Sequence, residues 1–384
     1  MNPIPYGKQY ISQEDIEAVV KTLTSEFLTQ GPKVAEFEQA FAAYTGAAYA
    51  VAVSNGTAAL HLCALALGVN ATSNVITTPL TFVASANCVR YCGGNVYFAD
   101  INPDTFLIDE AKVQALIASK PKGFFSGIVP VDFAGLAVNL EKIKSIAENN
   151  NLWIIQDSCH SPGGSFTDSK GNEQKCGNGN FADLAIFSFH PVKHIATGEG
   201  GMITTNNKTL YEKLILLRTH GITKNPDLLE ENHGPWYYEM QELGYNYRIP
   251  DMLCALGITQ LKRADAGLER RREIADIYNK AFAAQSEIEV QNPKMQKGHA
   301  FHLYIIKTKK RAELYKHLRE HNIFTQVHYI PVHTMPYYRS LGFKKGDFPF
   351  AESYYEQCLS LPMFPALTNE EQDFVIKTII NFVK

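Results

Sequence analysis

The chain has 384 residues, of which 45% are hydrophobic and 20% are charged, and its formal net charge is −3. This length and composition are typical of a globular protein with a large core and about two domains. The sequence has no Lys- or Arg-rich block to bind nucleic acid or an anionic membrane surface, and no apolar run near the roughly 20 residues of a membrane-spanning helix.

The N-terminal stretch has no basic region followed by an apolar one, so we expect no signal peptide and a soluble, cytoplasmic protein. The first helix is predicted over 14–25, opened by a capping-box variant made by Ser12 and Asp15. A loop and a second, amphipathic helix follow in 28–46, and Gly46 closes that helix.

Short apolar runs then alternate with helical segments. Strands are predicted within 49–53, 74–77, 95–102, 127–135, 152–160, 182–190 and 200–206. Helices are predicted between several of them, one of them at 139–150. Continuous apolar strands that alternate with helices indicate a mostly parallel sheet covered on both faces, and therefore an α/β fold.

The pattern changes after about residue 250. A long charged helix is predicted over 254–284, then a strand at 302–308, a helix at 311–322 and a strand at 324–330. Thr368 and Glu371 cap a last amphipathic helix. We therefore predict a large domain over 12–249 and a smaller α+β domain over 250–384, with residues 1–11 packed nearby.

The cysteines are predicted to be reduced thiols packed as small apolar side chains. They are scattered and odd in number, and no second Cys/His pair has the spacing of a zinc site, so no metal is expected. They are Cys63, Cys88, Cys92, Cys159, Cys176, Cys254 and Cys358.

Several predicted strands end in polar or glycine-rich clusters, which read SNGT, TTPLT, QDSCH and SFHPVKH. Ligands of parallel sheets gather at the carboxyl ends of the strands. The glycine-rich nucleotide motifs and the common hydrolase motifs are absent from the sequence. A phosphate, if one is bound, must therefore be held in another way.

Ser54-Asn-Gly-Thr57 lies where a strand turns into a helix. The amides at the start of that helix could bind an anion. The alternative is an ordinary N-cap, with Ser54 or Thr57 bonded to those amides.

Asp157 and Lys193 raise a similar choice, because each follows a predicted buried strand. The carboxylate could be a structural ion-pair partner or a functional group. The amine could extend to solvent, or it could be a desolvated nucleophile with a lowered pKa.

An anion site, a carboxylate and a lysine at three strand ends of one sheet fit what pyridoxal phosphate requires. Its phosphate needs amides and hydroxyls, its ring nitrogen needs a carboxylate, and its aldehyde needs a lysine. Phe82 could cover the ring, or it could be an ordinary core residue.

Eight motifs in order along the chain carry a family resemblance. They are LTQGPKVAEFE, AVSNGTAALHL, TTPLTFVASAN, QDSCHSPGGS, FSFHPVKHIATGEGG, LRTHG, GYNYRIPDMLCALGITQL and QVHYIPVH. The chain thereby resembles, over nearly its whole length, the DegT/DnrJ/EryC1/StrS family of pyridoxal-phosphate-dependent nucleotide-sugar aminotransferases.

The resemblance implies an aspartate-aminotransferase-like fold (fold type I) and a homodimer whose active sites lie at the subunit interface. Lys193 would form the aldimine with pyridoxal phosphate and Asp157 would pair with the pyridine nitrogen. The other implied cofactor residues are Gly56, Thr57 and Ser188 at the phosphate, Phe82 over the ring, His160 beside it, and Asn246, which would reach the partner's cofactor.

His160 departs from most of the family, which has glutamine there, and is similar to the subgroup that acts in pseudaminic acid biosynthesis. That likeness implies transfer of an amino group from L-glutamate to a UDP-linked 4-keto-6-deoxy-N-acetylhexosamine, with pyridoxamine phosphate formed in the cycle. The product would be UDP-4-amino-4,6-dideoxy-N-acetyl-β-L-altrosamine. The implied substrate contacts are Tyr6, Glu26, Phe27, Leu28, Thr29, Gln326, Val327, His328 and Tyr329.

Three alternatives accompany this interpretation. The substrate could be a GDP- or dTDP-linked 4-keto-6-deoxysugar, because the family shares its catalytic core and varies its loops. A sugar 3-dehydratase of the same fold carries histidine in place of the lysine, so Lys193 argues against it. A non-enzymatic sensor or regulator is disfavoured by the intact Asp157, Ser188 and Lys193.

His190 and His194, on either side of the lysine, are expected to make structural hydrogen bonds.

Overall fold

The computed structural model describes residues 2–291 and 297–384. Its helices are α1 Gln13–Leu23, α2 Pro32–Thr45, α3 Gly56–Ala66, α4 Ala84–Tyr91, α5 Glu110–Ala118, α6 Leu140–Asn150, α7 Lys208–Arg218, α8 Asp251–Lys262, α9 Ala264–Phe282, α10 Arg311–Glu320, α11 Pro336–Ser340, α12 Pro349–Gln357 and α13 Asn369–Val383. Its strands are β1 Ile4–Pro5, β2 Tyr49–Val53, β3 Asn74–Thr77, β4 Asn95–Phe98, β5 Gly127–Val129, β6 Trp153–Asp157, β7 Ser165–Thr167, β8 Glu173–Lys175, β9 Leu184–Ser188, β10 Gly201–Thr205, β11 Ile222–Thr223, β12 Glu239–Met240, β13 Glu289–Val290, β14 Tyr304–Lys307, β15 Ile323–Phe324 and β16 Cys358–Leu361. No helix of these described ranges is both long and apolar enough to cross a membrane.

The central sheet has seven strands in the order β2-β10-β9-β6-β5-β3-β4. Every neighbouring pair is parallel except the two pairs that β10 makes, with β2 and with β9. A parallel return needs a crossover of a dozen or more residues, usually a helix. Residues 189–200 contain no helix, and β10 runs back antiparallel to β9. The prediction of an α/β fold with a mostly parallel sheet is confirmed.

Both faces of the sheet are buried. On β9, Leu184 and Ile186 pack in one cluster with Leu60 of α3, whereas Phe187 packs in another cluster with Phe41 of α2. Successive side chains of a strand point to opposite faces. The unbroken apolar run of β9 is therefore what a strand between two helical layers requires.

A second, three-stranded antiparallel sheet is formed by β13, β14 and β16. Its core includes side chains of α9, α10 and α13. Ile4 of β1 belongs to the same core and pairs in parallel with Ile323 of β15. The domain limits 12–249 and 250–384 stay a prediction.

Three helix-end predictions are confirmed. Ser12 and Asp15 exchange both hydrogen bonds of a capping box at α1, and Thr368 and Glu371 do so at α13. Gly46 ends α2 in the left-handed conformation, with φ 85°. These local signals were readable because each depends on residues close together in the chain.

The prediction of a single long helix over 254–284 is wrong. The structure has α8 and α9, separated at Arg263, whose backbone has φ −106° and ψ 3°. The Arg263 guanidinium bonds the buried carboxylate of Asp15 on α1. The break thus coincides with a contact to a distant helix, and neither Gly nor Pro marks it in the sequence.

The prediction of a strand over 324–330 is also wrong, except at its first residue, Phe324. Only β15, Ile323–Phe324, is a strand, and Gln326 makes an isolated bridge to Ser360. His328 and Tyr329 instead contact Ser360 and His160 through their side chains. Tertiary contacts have overridden the β propensity of this stretch.

Replacing Asp15 by alanine is expected to destabilise the protein strongly. Its fully buried carboxylate accepts hydrogen bonds from Thr259 at 2.6 Å and Gln260 at 2.8 Å, and it pairs with Arg263. The change leaves the Thr259 hydroxyl, the Gln260 amide and the partly exposed Arg263 guanidinium without their acceptor, and a hydrogen bond to a charged group is worth about 1.5–3 kcal/mol. Thermal unfolding followed by circular dichroism should show a clear fall in Tm. Glu17→Ala, on the exposed side of the same helix, should leave Tm nearly unchanged, and equal effects would contradict the argument.

Candidate active site

A cavity of about 820 Å³ lies at the carboxyl edge of the central sheet. It is reached by the ends of β6 and β9 and by the start of α3, which follows β2. Residues beyond these elements, around 81–84, 302 and 328–329, complete its wall. Its size falls within the range of small-molecule sites.

Lys193 lies in the loop that joins β9 to β10. Its backbone amide donates to the His190 carbonyl at 2.8 Å, and its side-chain amine lies 3.4 Å from Nε2 of His302. Burial lowers the pKa of this amine, while Cys159 and Asp157 act in the opposite direction. No ion pair joins it to a carboxylate of the described residues. An amine with a lowered pKa can act as a nucleophile and as a base.

Asp157 ends β6 and is 5% exposed. Its Oδ2 accepts a hydrogen bond from the Ser85 hydroxyl at 2.6 Å, and its Oδ1 accepts one from the Cys159 amide at 3.1 Å. The Ser85 hydroxyl lies 2.8 Å from that of Thr81. The carboxylate is thus held in one orientation at the cavity wall, and within 2–291 and 297–384 it has no cation in salt-bridge contact.

Asn55 caps α3, because its side chain accepts a hydrogen bond from the Ala58 amide at 2.8 Å. The alternative of a cap by Ser54 or Thr57 is therefore wrong, since the residue between them makes it. The preceding amides, of Gly56 and Thr57, have no acceptor within the helix and lie at the cavity. Together with the helix dipole, they form a site that favours an anion.

Gly56 lets the helix start approach β9. A Cβ at this position would lie 3.0 Å from that of Ser188, the last residue of β9. The glycine therefore brings the Ser188 hydroxyl next to the free amides of α3. Hydroxyl and amides together can surround one phosphate.

Histidines form much of the remaining wall. His160 accepts a hydrogen bond from the Ala134 amide at Nδ1, over 3.2 Å, and its Nε2 lies 3.1 Å from the Tyr329 hydroxyl. Burial is the main cause that holds the pKa of His160 and His302 well below the usual range, and it lowers that of His328 to about 3. These rings are neutral, so they add hydrogen-bonding groups without adding charge.

His194 makes the structural hydrogen bond expected of it, from Nε2 to the Ala300 carbonyl at 2.8 Å. His190 is exposed at the cavity mouth. No group of three or more His, Cys, Asp or Glu side chains in the described part of the chain could hold a metal ion.

The cavity brings together most of the residues singled out from the sequence. They are Tyr6, Gly56, Thr57, Phe82, Asp157, His160, Ser188, Lys193, His328 and Tyr329. Phe82 is 57% exposed, and its ring centroid lies 6.1 Å from that of Tyr329.

Seven others lie outside this cavity. They are Glu26, Phe27, Leu28, Thr29, Asn246, Gln326 and Val327. The stretch 26–29 and Asn246 are exposed, and Gln326 and Val327 line a separate surface groove with Arg311. Their roles stay predictions.

Three contacts of the site were missed in the sequence. Ser85 orients Asp157, His61 lies 3.1 Å from the Tyr247 hydroxyl in the wall, and His302 meets Lys193. His302 lies two residues before the buried strand β14, which starts at Tyr304, and a polar residue in that place was the available signal. Ser85 lies in α4 and His61 lies in α3. Neither helix shows a comparable pattern.

Comparison with known proteins gives a consistent result. The sequence profile of the DegT/DnrJ/EryC1/StrS aminotransferase family matches residues 9–380. The chain is 38% identical to spore coat polysaccharide biosynthesis protein SpsC of Bacillus subtilis, over 99% of this chain and 97% of that protein. It is also 38% identical to UDP-4-amino-4,6-dideoxy-N-acetyl-β-L-altrosamine transaminase of Campylobacter jejuni, over 99% of this chain and 98% of that one.

The fold has a solved counterpart in Helicobacter pylori PseC, an aminotransferase involved in the biosynthesis of pseudaminic acid. The two superpose with a TM-score of 0.89 at 30% identity, and the match covers 99% of each chain.

Proposed function

The chain belongs to the DegT/DnrJ/EryC1/StrS aminotransferase family, and we propose a specific reaction for it within that family. It is a pyridoxal-phosphate-dependent sugar aminotransferase. The proposed reaction moves an amino group from L-glutamate to C4 of a UDP-linked 4-keto-6-deoxy-N-acetylhexosamine. The product is UDP-4-amino-4,6-dideoxy-N-acetyl-β-L-altrosamine, a precursor of pseudaminic acid.

One observation carries the catalytic part of the proposal. A half-buried amine, a buried carboxylate and a helix N-terminus face one cavity, and none of them is in salt-bridge contact with an oppositely charged side chain of the described residues. Burying such groups unpaired is costly. Pyridoxal phosphate offers a complement to all three, since it has an aldehyde for the amine, a ring nitrogen for the carboxylate and a phosphate for the amides.

The residues that would hold the cofactor follow from that fit. The amides of Gly56 and Thr57 and the Ser188 hydroxyl would bind the phosphate, and Asp157 would keep a proton on the ring nitrogen. Phe82 would cover one face of the ring. When bound, the cofactor supplies a carbon that receives the amino group and a protonated ring that withdraws electrons from it.

Lys193 performs the proton transfers in this proposal. Its neutral amine takes the proton from the α-carbon of glutamate, and it later delivers a proton to C4 of the sugar. Burial lowers the pKa of this amine, and this raises the unprotonated fraction of Lys193 at a given pH. The neutral histidines nearby avoid further like charge beside it while the proton is held.

The sugar nucleotide is proposed to lie over the aromatic side of the cavity. Tyr6 and His328 pack there with ring centroids 5.1 Å apart, and Tyr329 bonds His160, the residue that departs from most of the family. The name of the Campylobacter relative supports the UDP-sugar, whereas the equally identical Bacillus protein bears a name that specifies no sugar.

We further propose a cytoplasmic homodimer with shared active sites. Asn246 is exposed and lies outside its own chain's cavity, as expected of a residue that serves a partner's phosphate. The apolar side chains of Phe27 and Leu28 are 48% and 47% exposed, which suits burial against a second subunit. Stretch 26–29 would then contact substrate in the partner's cavity.

A panel of nucleotide sugars tests the proposed reaction. The purified protein, loaded with pyridoxal phosphate, is incubated with L-glutamate and UDP-, GDP- or dTDP-linked 4-keto-6-deoxysugars. Products are identified by mass spectrometry and NMR, and 2-oxoglutarate is quantified. We expect one 2-oxoglutarate per sugar amine, formed preferentially on the UDP-N-acetylhexosamine, and no amine without glutamate.

Other outcomes would contradict different parts of the proposal. Amination of only the GDP- or dTDP-sugar would overturn the substrate and leave the aminotransferase. No amination, with no change of the cofactor's visible absorbance on addition of glutamate, would favour a non-enzymatic regulator.

A further inference from the structure

His302 reaches the active site from outside the central sheet. It lies just before β14, which belongs to the small sheet, and it is 109 residues from Lys193 in sequence. The Ala300 amide donates to the Gly135 carbonyl at 2.8 Å, and the Leu303 amide donates to the Ala134 carbonyl at 3.1 Å. These two bonds fix the backbone on either side of His302.

A buried arginine holds the same segment from behind. Nη1 of Arg271, on α9, donates to the carbonyls of Phe301 at 3.1 Å and His302 at 3.4 Å, and to that of Met363 at 2.9 Å. Arg271 is 1% exposed. The position of His302 is therefore determined by contacts to several elements of the fold.

The His302 ring makes one side-chain hydrogen-bonding contact within the described ranges, with the amine of Lys193. Its Nε2 lies 3.4 Å from that amine, and its Nδ1 is buried without a partner. His302 is 4% exposed. Its ring centroid lies 4.3 Å from that of His160. Burial holds its pKa well below the usual range, with Lys193, His160, His194 and Arg271 contributing in the same direction.

The neighbouring histidines differ in this respect. His160 contacts the Ala134 amide and Tyr329, His194 contacts the Ala300 carbonyl, and His328 contacts Ser360. His299 contacts the Phe301 amide and Gln291. Each of these rings has a bond that holds the fold. The His302 ring makes no such hydrogen bond within the described ranges. A role in holding the fold therefore does not explain its contact with Lys193.

We propose that His302 is a positioning residue for the aminotransferase reaction, which accepts a hydrogen bond from the Lys193 amine through Nε2 and aims that amine at the reacting carbon. The proposal rests on the proposed function, because it gives Lys193 the role of proton carrier. In the neutral ring the proton then lies on Nδ1, and Nε2 is free to accept. Whenever Lys193 carries a free amine, one of its N–H bonds is directed to His302. The lone pair of the amine then faces the cavity.

Two substitutions separate this role from a structural one. His302→Leu removes the acceptor, whereas His302→Gln keeps a carbonyl oxygen near the position of Nε2. We expect His302→Leu to lower kcat about 10- to 100-fold, with KM for the nucleotide sugar changed less than about threefold. His302→Gln should recover most of that loss. His299→Leu is the matched control, since it removes a buried histidine of the same segment that does not contact Lys193.

A second readout needs no turnover. The cofactor-free protein is mixed with pyridoxal phosphate across a pH series, and the rate at which visible absorbance develops reports the unprotonated fraction of Lys193. An acceptor beside the amine stabilises its charged form. The midpoint of this pH profile should therefore move to lower pH in His302→Leu, return toward the wild-type value in His302→Gln and stay unchanged in His299→Leu.

The outcomes distinguish this proposal from the proposed function. An unchanged kcat and midpoint in His302→Leu would overturn the positioning role, as would equal losses in His302→Leu and His302→Gln with unchanged midpoints. Normal turnover in a Lys193→Ala variant would instead overturn the proposed function itself, whatever the His302 variants do.

Discussion

Replacing Lys193 by alanine is expected to abolish turnover and to remove the visible absorbance that the bound cofactor owes to this residue. The change deletes the proposed attachment point and proton carrier, and no other lysine of residues 2–291 and 297–384 lines the 820 Å³ cavity. General acid–base catalysis alone contributes roughly 10²–10⁴-fold, so we expect kcat to fall at least about 10⁴-fold when both roles are lost. Steady-state kinetics and an absorbance spectrum of the purified variant measure this.

Two further variants make the result specific. Lys193→Arg keeps the positive charge, but a guanidinium is neither deprotonated nor nucleophilic in proteins, so it should be as inactive as alanine. Lys208→Ala removes an amine whose side chain is 73% exposed on α7 and should leave kcat unchanged. Substantial activity in Lys193→Arg would show that only charge is needed and would refute the assigned role.

Replacing Asp157 by asparagine is expected to have the second largest effect. The variant keeps the size of the side chain and loses the negative charge that would hold a proton on the ring nitrogen. Electrostatic groups of this kind are worth about 10²–10³-fold in kcat when removed singly. We therefore expect kcat to fall by about that factor, and the absorbance of the bound cofactor to change. Kinetics and spectra at saturating pyridoxal phosphate measure both.

Ser85→Ala is the matched comparison for this prediction. It removes the 2.6 Å hydrogen bond to Oδ2 and leaves the carboxylate charge in place. Loss of one hydrogen bond to a charged group costs about 1.5–3 kcal/mol. If all of that cost falls on catalysis, kcat falls roughly 10- to 150-fold. A loss in Ser85→Ala as large as that in Asp157→Asn would mean that orientation, rather than charge, is what Asp157 contributes.

Much of the site could be predicted because the sheet organises it. Asp157 and Ser188 end β6 and β9, and Gly56 opens the helix after β2. Polar residues that interrupt apolar runs mark these positions in the sequence, and parallel strands bring their carboxyl ends to one edge. Strand order was not needed to infer that these residues meet.

The rest depends on packing between distant segments. His302 meets Lys193 because the 300–303 backbone bonds to residues 134 and 135 and to Arg271. The break at Arg263 accompanies its contact with Asp15, and the irregular path after β15 goes with the contacts of His328 and Tyr329. No local pattern encodes such contacts, since propensity gives way to tertiary context.

The antiparallel course of β10 has a consequence for how Lys193 moves. Ser188 pairs with Gly201 across β9 and β10, so both ends of the connecting loop are anchored in the sheet. Within it, the Phe189 amide donates to the Gly200 carbonyl at 2.8 Å, and the Thr197 amide donates to the Phe189 carbonyl at 2.9 Å. Local opening of this loop would break these two hydrogen bonds, which lie directly beside the paired ends of β9 and β10, and core strands belong to the most stable part of a fold. We therefore expect the backbone of this loop to keep its course during turnover, and rotation about side-chain bonds to move the Lys193 amine.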